Sequence, residues 1–221
     1  MGANRSKSRI PKQQRSIQTK RQIIEAAMRL FAQKGYHGTN SKEIAREAGV
    51  ATGCFYAYFS DKKEVFMAAL DLSFDRFHNI TQAHFATLAF EKTTVKIFCK
   101  ELIQSFIEAH DVFTNFNAEL TSMYYTDPDI QKMIAEYDKT SIGHIIEYLM
   151  KVRADLRVSN LEAAAKIVYY SFHSVMDQIV FSEKENAAIL SDEFADMIER
   201  YLLDDSLNHD HGPSVHGEPP L

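Results

Sequence analysis

Apolar residues recur along this chain at the three-to-four-residue spacing of helices, with few alternating runs that would read as strands. Between Thr19 and Gly35, residues Ile23, Ala27, Leu30 and Phe31 fall at i, i+4, i+7 and i+8, one face of an amphipathic helix that Gly35 can stop. After a polar turn over 36–39, Asn40 followed three residues later by Glu43 resembles a capping pair. Ile44, Ala45 and Ala48 then supply the buried side of a second, short helix. Gly49 offers a tight turn, and a third short helix carries Phe55, Tyr58 and Phe59 inward while leaving Thr52, Gly53, Cys54, Tyr56 and Ala57 outside. Two helices this short, pinched around one glycine, have helix-turn-helix geometry. Ala45 is small where they cross, and Gly49 tolerates a left-handed backbone.

A longer helix is expected from Asp61 or Lys62 into the eighties, followed by helices near 92–110, 112–125, 128–154, 160–183 and 191–204. The breaks are suggested by Asp127-Pro128, Ser159-Asn160 and the polar run 182–188. In the last helix Phe194, Met197, Ile198, Tyr201 and Leu202 form an apolar stripe, and in the one before it Val168, Phe172, Val175 and Ile179 form another. Both need a cover. The expected fold is all-α, a small three-helix head followed by a larger helical body.

Composition agrees with a globular chain: 221 residues, 45% hydrophobic and 25% charged. No stretch approaches the roughly 18 uninterrupted apolar residues of a membrane helix, and the first thirty residues lack a signal-peptide core. A cytoplasmic protein without a membrane partner is expected. Cys54 and Cys99 stand in no C-x-x-C spacing, so neither a disulfide framework nor a cysteine metal site is indicated. Charge alters the picture more. Residues 1–63 carry 13 Lys or Arg against 4 Asp or Glu, whereas the remainder carries 12 against 26. Arg5, Lys7, Arg9, Lys12, Arg15, Lys20 and Arg21 precede the first acidic residue. A cationic module on an acidic body suits a polyanion, and an exposed helix suits a major groove.

The stretches IIEAAMRLFAQKGY, TNSKEIAREAGV and GCFYAYFSDKKEVF, in this order and spacing between Arg21 and Phe66, resemble the DNA-binding domain of the TetR family of bacterial repressors. The resemblance implies that Thr39, Asn40, Tyr56 and Lys62 contact backbone phosphates of double-stranded DNA, while Thr52, Gly53, Cys54 and Ala57 face base edges. Those side chains have the chemistry for it, donors for phosphates and small or hydroxyl groups for bases. It departs from the family where Asn40 follows Thr39 in place of a second threonine, where Ala51 replaces a capping serine, and where Cys54 replaces a threonine. Alanine caps poorly, so Thr52 is expected to shift the cap or absorb the loss. The resemblance further implies a homodimer in which the last two helices pair with their copies through Val168, Phe172, Val175, Ile179, Phe194, Met197, Ile198 and Tyr201. Packing within one subunit is the other reading of those stripes.

The body is rich in aromatic residues, which in a TetR-like protein suggests an apolar cavity for a small-molecule effector. Candidates for its lining are Phe106, His110, Phe116, Asn117, Tyr124, His144, Tyr148, His173 and Asp177, although His173 and Asp177 at i and i+4 can simply pair with each other. The expected organisation is a basic arm (1–18), the helix-turn-helix domain (19–66), an effector-binding and dimerisation body (67–205) and a flexible tail (206–221). The tail histidines His209, His211 and His216 read as part of a polar tail rather than as a metal site. No cofactor is expected. An enzyme is disfavoured because no G-x-S-x-G, H-E-x-x-H or phosphate-cradling glycine loop occurs. The expected function is a repressor released from a palindromic operator by a lipophilic or aromatic effector. The rival is an electrostatic adaptor for nucleic acid or a membrane surface, without sequence preference.

Overall fold

The computed structural model describes residues 12–88, 95–109, 120, 123–151, 156–181 and 183–203. Among them the chain forms eight helices: α1 (Lys12–Lys34), α2 (Ser41–Glu47), α3 (Thr52–Tyr56), α4 (Lys62–Leu88), α5 (Val95–Ala109), α6 (Pro128–Lys151), α7 (Leu161–Phe181) and α8 (Lys184–Leu202). The one pairing of extended backbone among these residues is an isolated antiparallel bridge between Leu156 and Leu203, so the fold is all-α. The expected helix over 112–125 lies largely outside the described residues. Among those residues the chain divides into two compact units: one takes in residues up to Phe77 with Ala109–Ile134, the other His78–Glu108 and the residues from Ala135 onward.

In the first unit, α1 buries Ile23, Ala27, Leu30 and Phe31, the face read from the sequence. The helix starts at Lys12 rather than near Thr19, so residues 12–18 are helical and not part of a flexible arm. Its early turn gains an anchor that periodicity cannot show, a hydrogen bond between Ser16 Oγ and Tyr58 Oη (3.1 Å). Residues 1–11, with Arg5, Lys7 and Arg9, lie outside the described residues. Gly35 stops the helix with φ 74° while its N–H donates to Phe31 O (2.9 Å). Asn40 caps α2, its Oδ1 accepting from Glu43 N (3.0 Å), and Gly49 at φ 69° turns the chain as Val50 N donates to Ala45 O (2.9 Å).

The start of α4 has a fuller cap: Asp61 Oδ1 accepts from Glu64 N (2.8 Å), and the Glu64 carboxylate reaches back to Ser60 N. The core that results holds Phe31, Phe55, Phe59, Val65 and Phe66. Met123 and Ile130, from the segment read as part of the larger body, are buried in the same core.

In the second unit, α7 follows Asn160, whose Oδ1 accepts from Ala163 N (2.9 Å), which accounts for the break read at Ser159-Asn160. The break at Asp127-Pro128 is also a cap, with Asp127 Oδ1 accepting from Asp129 N (3.0 Å) in the first unit. The polar run 182–188 behaves differently. α8 begins at Lys184 rather than at 191, because Lys, Glu and Ala are strong helix formers and polarity alone does not end a helix. Along α5 and α8, Lys96 pairs with Asp196 and Lys100 with Asp192.

Candidate functional site

The exposed face of α3 is built by its buried one. Phe55 is fully buried and Phe59 nearly so, with ring centroids 5.8 Å apart. Pinned from below, the five-residue helix presents Thr52, Gly53, Tyr56 and Ala57 to solvent, with Cys54 half-buried at the edge. Tyr56 is 53% exposed although aromatic. A Cβ added at Gly53 would meet nothing within 4 Å, so packing does not require glycine there. Ala51 occupies the cap position without a side-chain hydrogen bond, and Thr52 is the first helical residue. Thr52 therefore does not take over the cap as expected; the helix is closed by backbone bonds alone, Cys54 N and Phe55 N donating to Ala51 O.

Around this face, Asn40 is exposed while its Oδ1 caps α2. Thr39 and Lys62 are placed otherwise. Thr39 is only 2% exposed, and its hydroxyl donates to Gly35 O (2.9 Å) and Leu30 O (3.3 Å). Lys62 Nζ donates to Tyr36 O (2.6 Å) and Thr39 O (2.9 Å) and lies 4.2 Å from the centre of the Tyr36 ring. Burial pushes its ammonium below the ordinary lysine value. Both residues lock the turn between α1 and α2, Thr39 by donating to carbonyls at the end of α1 and Lys62 by donating to carbonyls within the turn itself. Lys63, the next residue, bonds Asp127 Oδ2 and Asp129 Oδ2 at 2.7 Å each. These bonds raise its pKa, and Lys63 in turn holds Asp127 below the usual carboxylate range.

The second unit encloses a cavity of about 100 Å³. His78, Thr81 and Phe85 come from α4; Phe98, Cys99, Leu102 and Phe106 from α5; Tyr137, Ser141, His144 and Tyr148 from α6; Tyr169, Phe172 and His173 from α7; Phe194 and Ile198 from α8. Phe106 meets Phe172 edge-on at 5.1 Å, and Phe85, Phe98 and Tyr148 group at 5.1–6.4 Å.

Comparison with known proteins agrees with both units. Residues 23–69 match the model of bacterial regulatory proteins of the tetR family, and residues 97–202 match that of the tetracyclin repressor-like C-terminal domain. The chain belongs to the TetR family. It is 30% identical over 135 residues to the uncharacterized HTH-type transcriptional regulator YuxN of Bacillus subtilis strain 168, covering 59% of this chain and 44% of that one. The chain thus spans less than half the length of this curated relative. Its fold is similar to Salmonella enterica GusR (TM-score 0.70, 18% identity, 89% of this chain and 99% of that one). It is also similar to SmeT in its complex with triclosan (TM-score 0.68, 19% identity, 92% and 99%).

Against this TetR frame, four of the nine expected effector residues, Phe106, His144, Tyr148 and His173, come together at the cavity. Two do not. Tyr124 belongs to the first unit and is exposed, its carbonyl accepting from Gln131 Nε2 (2.8 Å), and Asp177 is exposed on α7. His110, Phe116 and Asn117 lie outside the described residues. The sequence reading missed His78, Thr81, Tyr137, Ser141 and Cys99; the i, i+3 pair His78 and Thr81 and the i, i+4, i+7 series Tyr137, Ser141, His144 were available as signals.

The apolar stripes serve the chain's own interior: Val168, Phe172, Phe194 and Ile198 line its cavity, Val168 and Phe172 being half-buried, and Ile179 is 3% exposed. The reason is that α7 and α8 must first cover the interior of their own unit. Val175 and Tyr201 are half-buried, and of the expected interface residues Met197 alone is strongly exposed, at 48%.

Proposed function

We propose that this chain is a DNA-binding transcriptional repressor that acts as a homodimer on a palindromic operator and is released by a small apolar effector. The observation that carries it is the outward face of α3, braced by buried Phe55 and offering exposed Thr52, Gly53 and Ala57, with Cys54 half-buried at its edge and nothing within 4 Å of a Cβ at Gly53. In a major groove the Thr52 hydroxyl reaches base edges, Ala57 and the Thr52 methyl meet thymine methyl groups, and Gly53 permits close approach. The phenol of Tyr56 and the amide of Asn40 donate to phosphates and set the register. Lys62 and Thr39 serve by holding the α1–α2 turn from which these groups project. Two such heads about 34 Å apart would read successive turns of DNA.

For the dimer, Ile167 and Tyr170 on α7 and Met197 on α8, each about half exposed, replace the inward-facing residues as the surface offered to a second subunit. Release follows from shared helices: α4 and α6 each contribute residues to both units. A ligand that prefers one arrangement of their second-unit segments shifts the head by its differential affinity, and a coupling of about 1–3 kcal/mol changes operator affinity roughly 5- to 150-fold.

Selection from a random duplex pool, followed by titration of the enriched DNA at several salt concentrations, tests this reading. A palindromic consensus bound by dimers with a steep salt slope is the expected result. Salt-sensitive binding without enrichment would instead make the head an electrostatic anchor.

A further inference from the structure

Among the described residues, the cavity in the second unit is lined by no Asp, Glu, Lys or Arg. Its ionisable side chains are His78, His144, His173, Tyr137, Tyr148, Tyr169 and Cys99. Burial pushes the Cys99 thiol and the Tyr137 phenol up to about 12 and raises Tyr148 and Tyr169 as well, so these groups stay neutral near neutral pH. A cationic ligand finds no counter-charge in this lining. An anionic one finds imidazoles, the side chain whose charge changes in the physiological range.

The three histidines are not equivalent. His173 stands 4.5 Å from the Tyr169 ring, whose hydroxyl donates to Asp138 (2.7 Å), and the charges of Asp138 and Asp177 both act on it. An anion at His173 would meet two carboxylates. His78 on α4 and His144 on α6 have ring centroids 5.0 Å apart, with Thr81 and Ser141 in the same wall, and the described residues form no hydrogen bond to either imidazole.

The titratable groups of the surrounding lining are Tyr137 and Tyr148 on α6, Cys99 on α5, and Tyr169 and His173 on α7; α8 contributes Phe194, Ile198 and Leu202. Asp75 and Glu147, three residues from His78 and His144 along α4 and α6, are exposed to water.

Size narrows the ligand further. At about 100 Å³ the cavity is well below the roughly 300–1,000 Å³ of drug-sized sites and nearer the scale at which an apolar cavity of about 150 Å³ binds benzene. Resting on the reading of this cavity as the effector site, we propose that its ligand is a small monoanionic aromatic acid, one ring bearing one carboxylate. The carboxylate is held by the His78–His144 pair, and the ring packs among Phe85, Phe98 and Tyr148.

Calorimetric titration of the full chain with benzoate and, separately, with the uncharged benzyl alcohol tests this. Benzoate is expected to bind at least about tenfold more tightly than benzyl alcohol, because its carboxylate makes charge-assisted hydrogen bonds that the alcohol cannot. His78→Gln and His144→Gln should each weaken benzoate at least about tenfold and benzyl alcohol much less, with an unchanged melting curve showing that the variants are folded. Equal affinity for the two probes overturns the anion proposal and leaves the effector reading standing. Binding of neither probe, with no effect of either on DNA affinity, overturns both.

Discussion

In the first unit the aromatic rings close on one another: Phe31 meets Phe66 at 5.2 Å, Tyr36 meets Phe66 at 5.2 Å, and Phe55 meets Phe59 at 5.8 Å. In the second unit Phe85, Phe98, Phe106, Tyr148 and Phe172 stand around a space. Both units are helical and aromatic-rich, so composition does not separate them. What differs is whether the rings fill the interior or fence it. A part that must hold a five-residue helix at a fixed height benefits from dense packing, whereas a part that must admit a molecule cannot use its whole interior for packing.

Large-to-small substitution should expose this difference most strongly. Phe66→Ala is expected to destabilise by about 3–5 kcal/mol, since a fully buried ring leaves a new cavity; Ile198→Ala, at an existing cavity wall, should fall near the low end of about 2–5 kcal/mol. Urea unfolding of the two variants measures both, and equal losses would break the contrast. Overpacking should run the same way. Ala45→Leu in the first core is expected to cost about 1–3 kcal/mol, while Val168→Ile at the cavity should be neutral or stabilise by up to about 1 kcal/mol and weaken any ligand that fills the space.

Two further substitutions sharpen the description of the head. Thr39→Val keeps the shape but leaves Gly35 O and Leu30 O without their hydroxyl donor, for a loss of about 1–2 kcal/mol in thermal or urea unfolding. An unchanged melting curve together with weakened DNA binding would return Thr39 to a phosphate-contact role. Gly53→Ala should do the reverse, raising stability by about 0.5–1 kcal/mol through helix propensity, since a Cβ there meets nothing of the described protein within 4 Å, while reducing DNA affinity if α3 enters the groove as proposed.

The smallest expected differences lie in pH dependence. Lys63 holds Asp127 below its usual range, so the unfolded chain binds more protons across that window. Stability of the head should therefore be present above the ordinary carboxylate value and be lost as pH falls through the lower folded one. Lys63→Met should flatten that acid limb. In the second unit burial favours neutral His173, against the opposing charges of Asp138 and Asp177, so stability should decline as pH drops from about 6.5 toward the lower folded value. His173→Gln should remove this step, as followed by melting temperature between pH 4 and 8.

Local signals were legible where one residue type satisfies one local need. Gly35 and Gly49 adopt the positive φ that their positions suggested, and Asn40, Asp127 and Asn160 cap the helices they precede. The outward set on α3 was legible for the same reason, because Phe55 and Phe59 declare the opposite face. The candidate sites were less so. Thr39 and Lys62 have side chains that could serve DNA or the fold, and only the carbonyls of Leu30, Gly35, Tyr36 and Thr39 around them show which one they serve. The cavity was half legible, since His144 and Tyr148 stood out while their partners His78 and Thr81 lie on another helix.

The sequence by itself determined the all-helical fold, the helix-turn-helix and the membership in the TetR family, because capping, turn and periodicity signals act over a few residues and survive in one dimension. The tertiary structure alone decided which apolar stripe faces which partner. Phe172, Phe194 and Ile198 satisfy a period that any covering surface would satisfy, and burial by the chain's own α5 and α6 or by a second subunit gives the same pattern along the sequence. It also decided that His78 and His144, sixty-six residues apart in the chain, stand 5.0 Å apart in space.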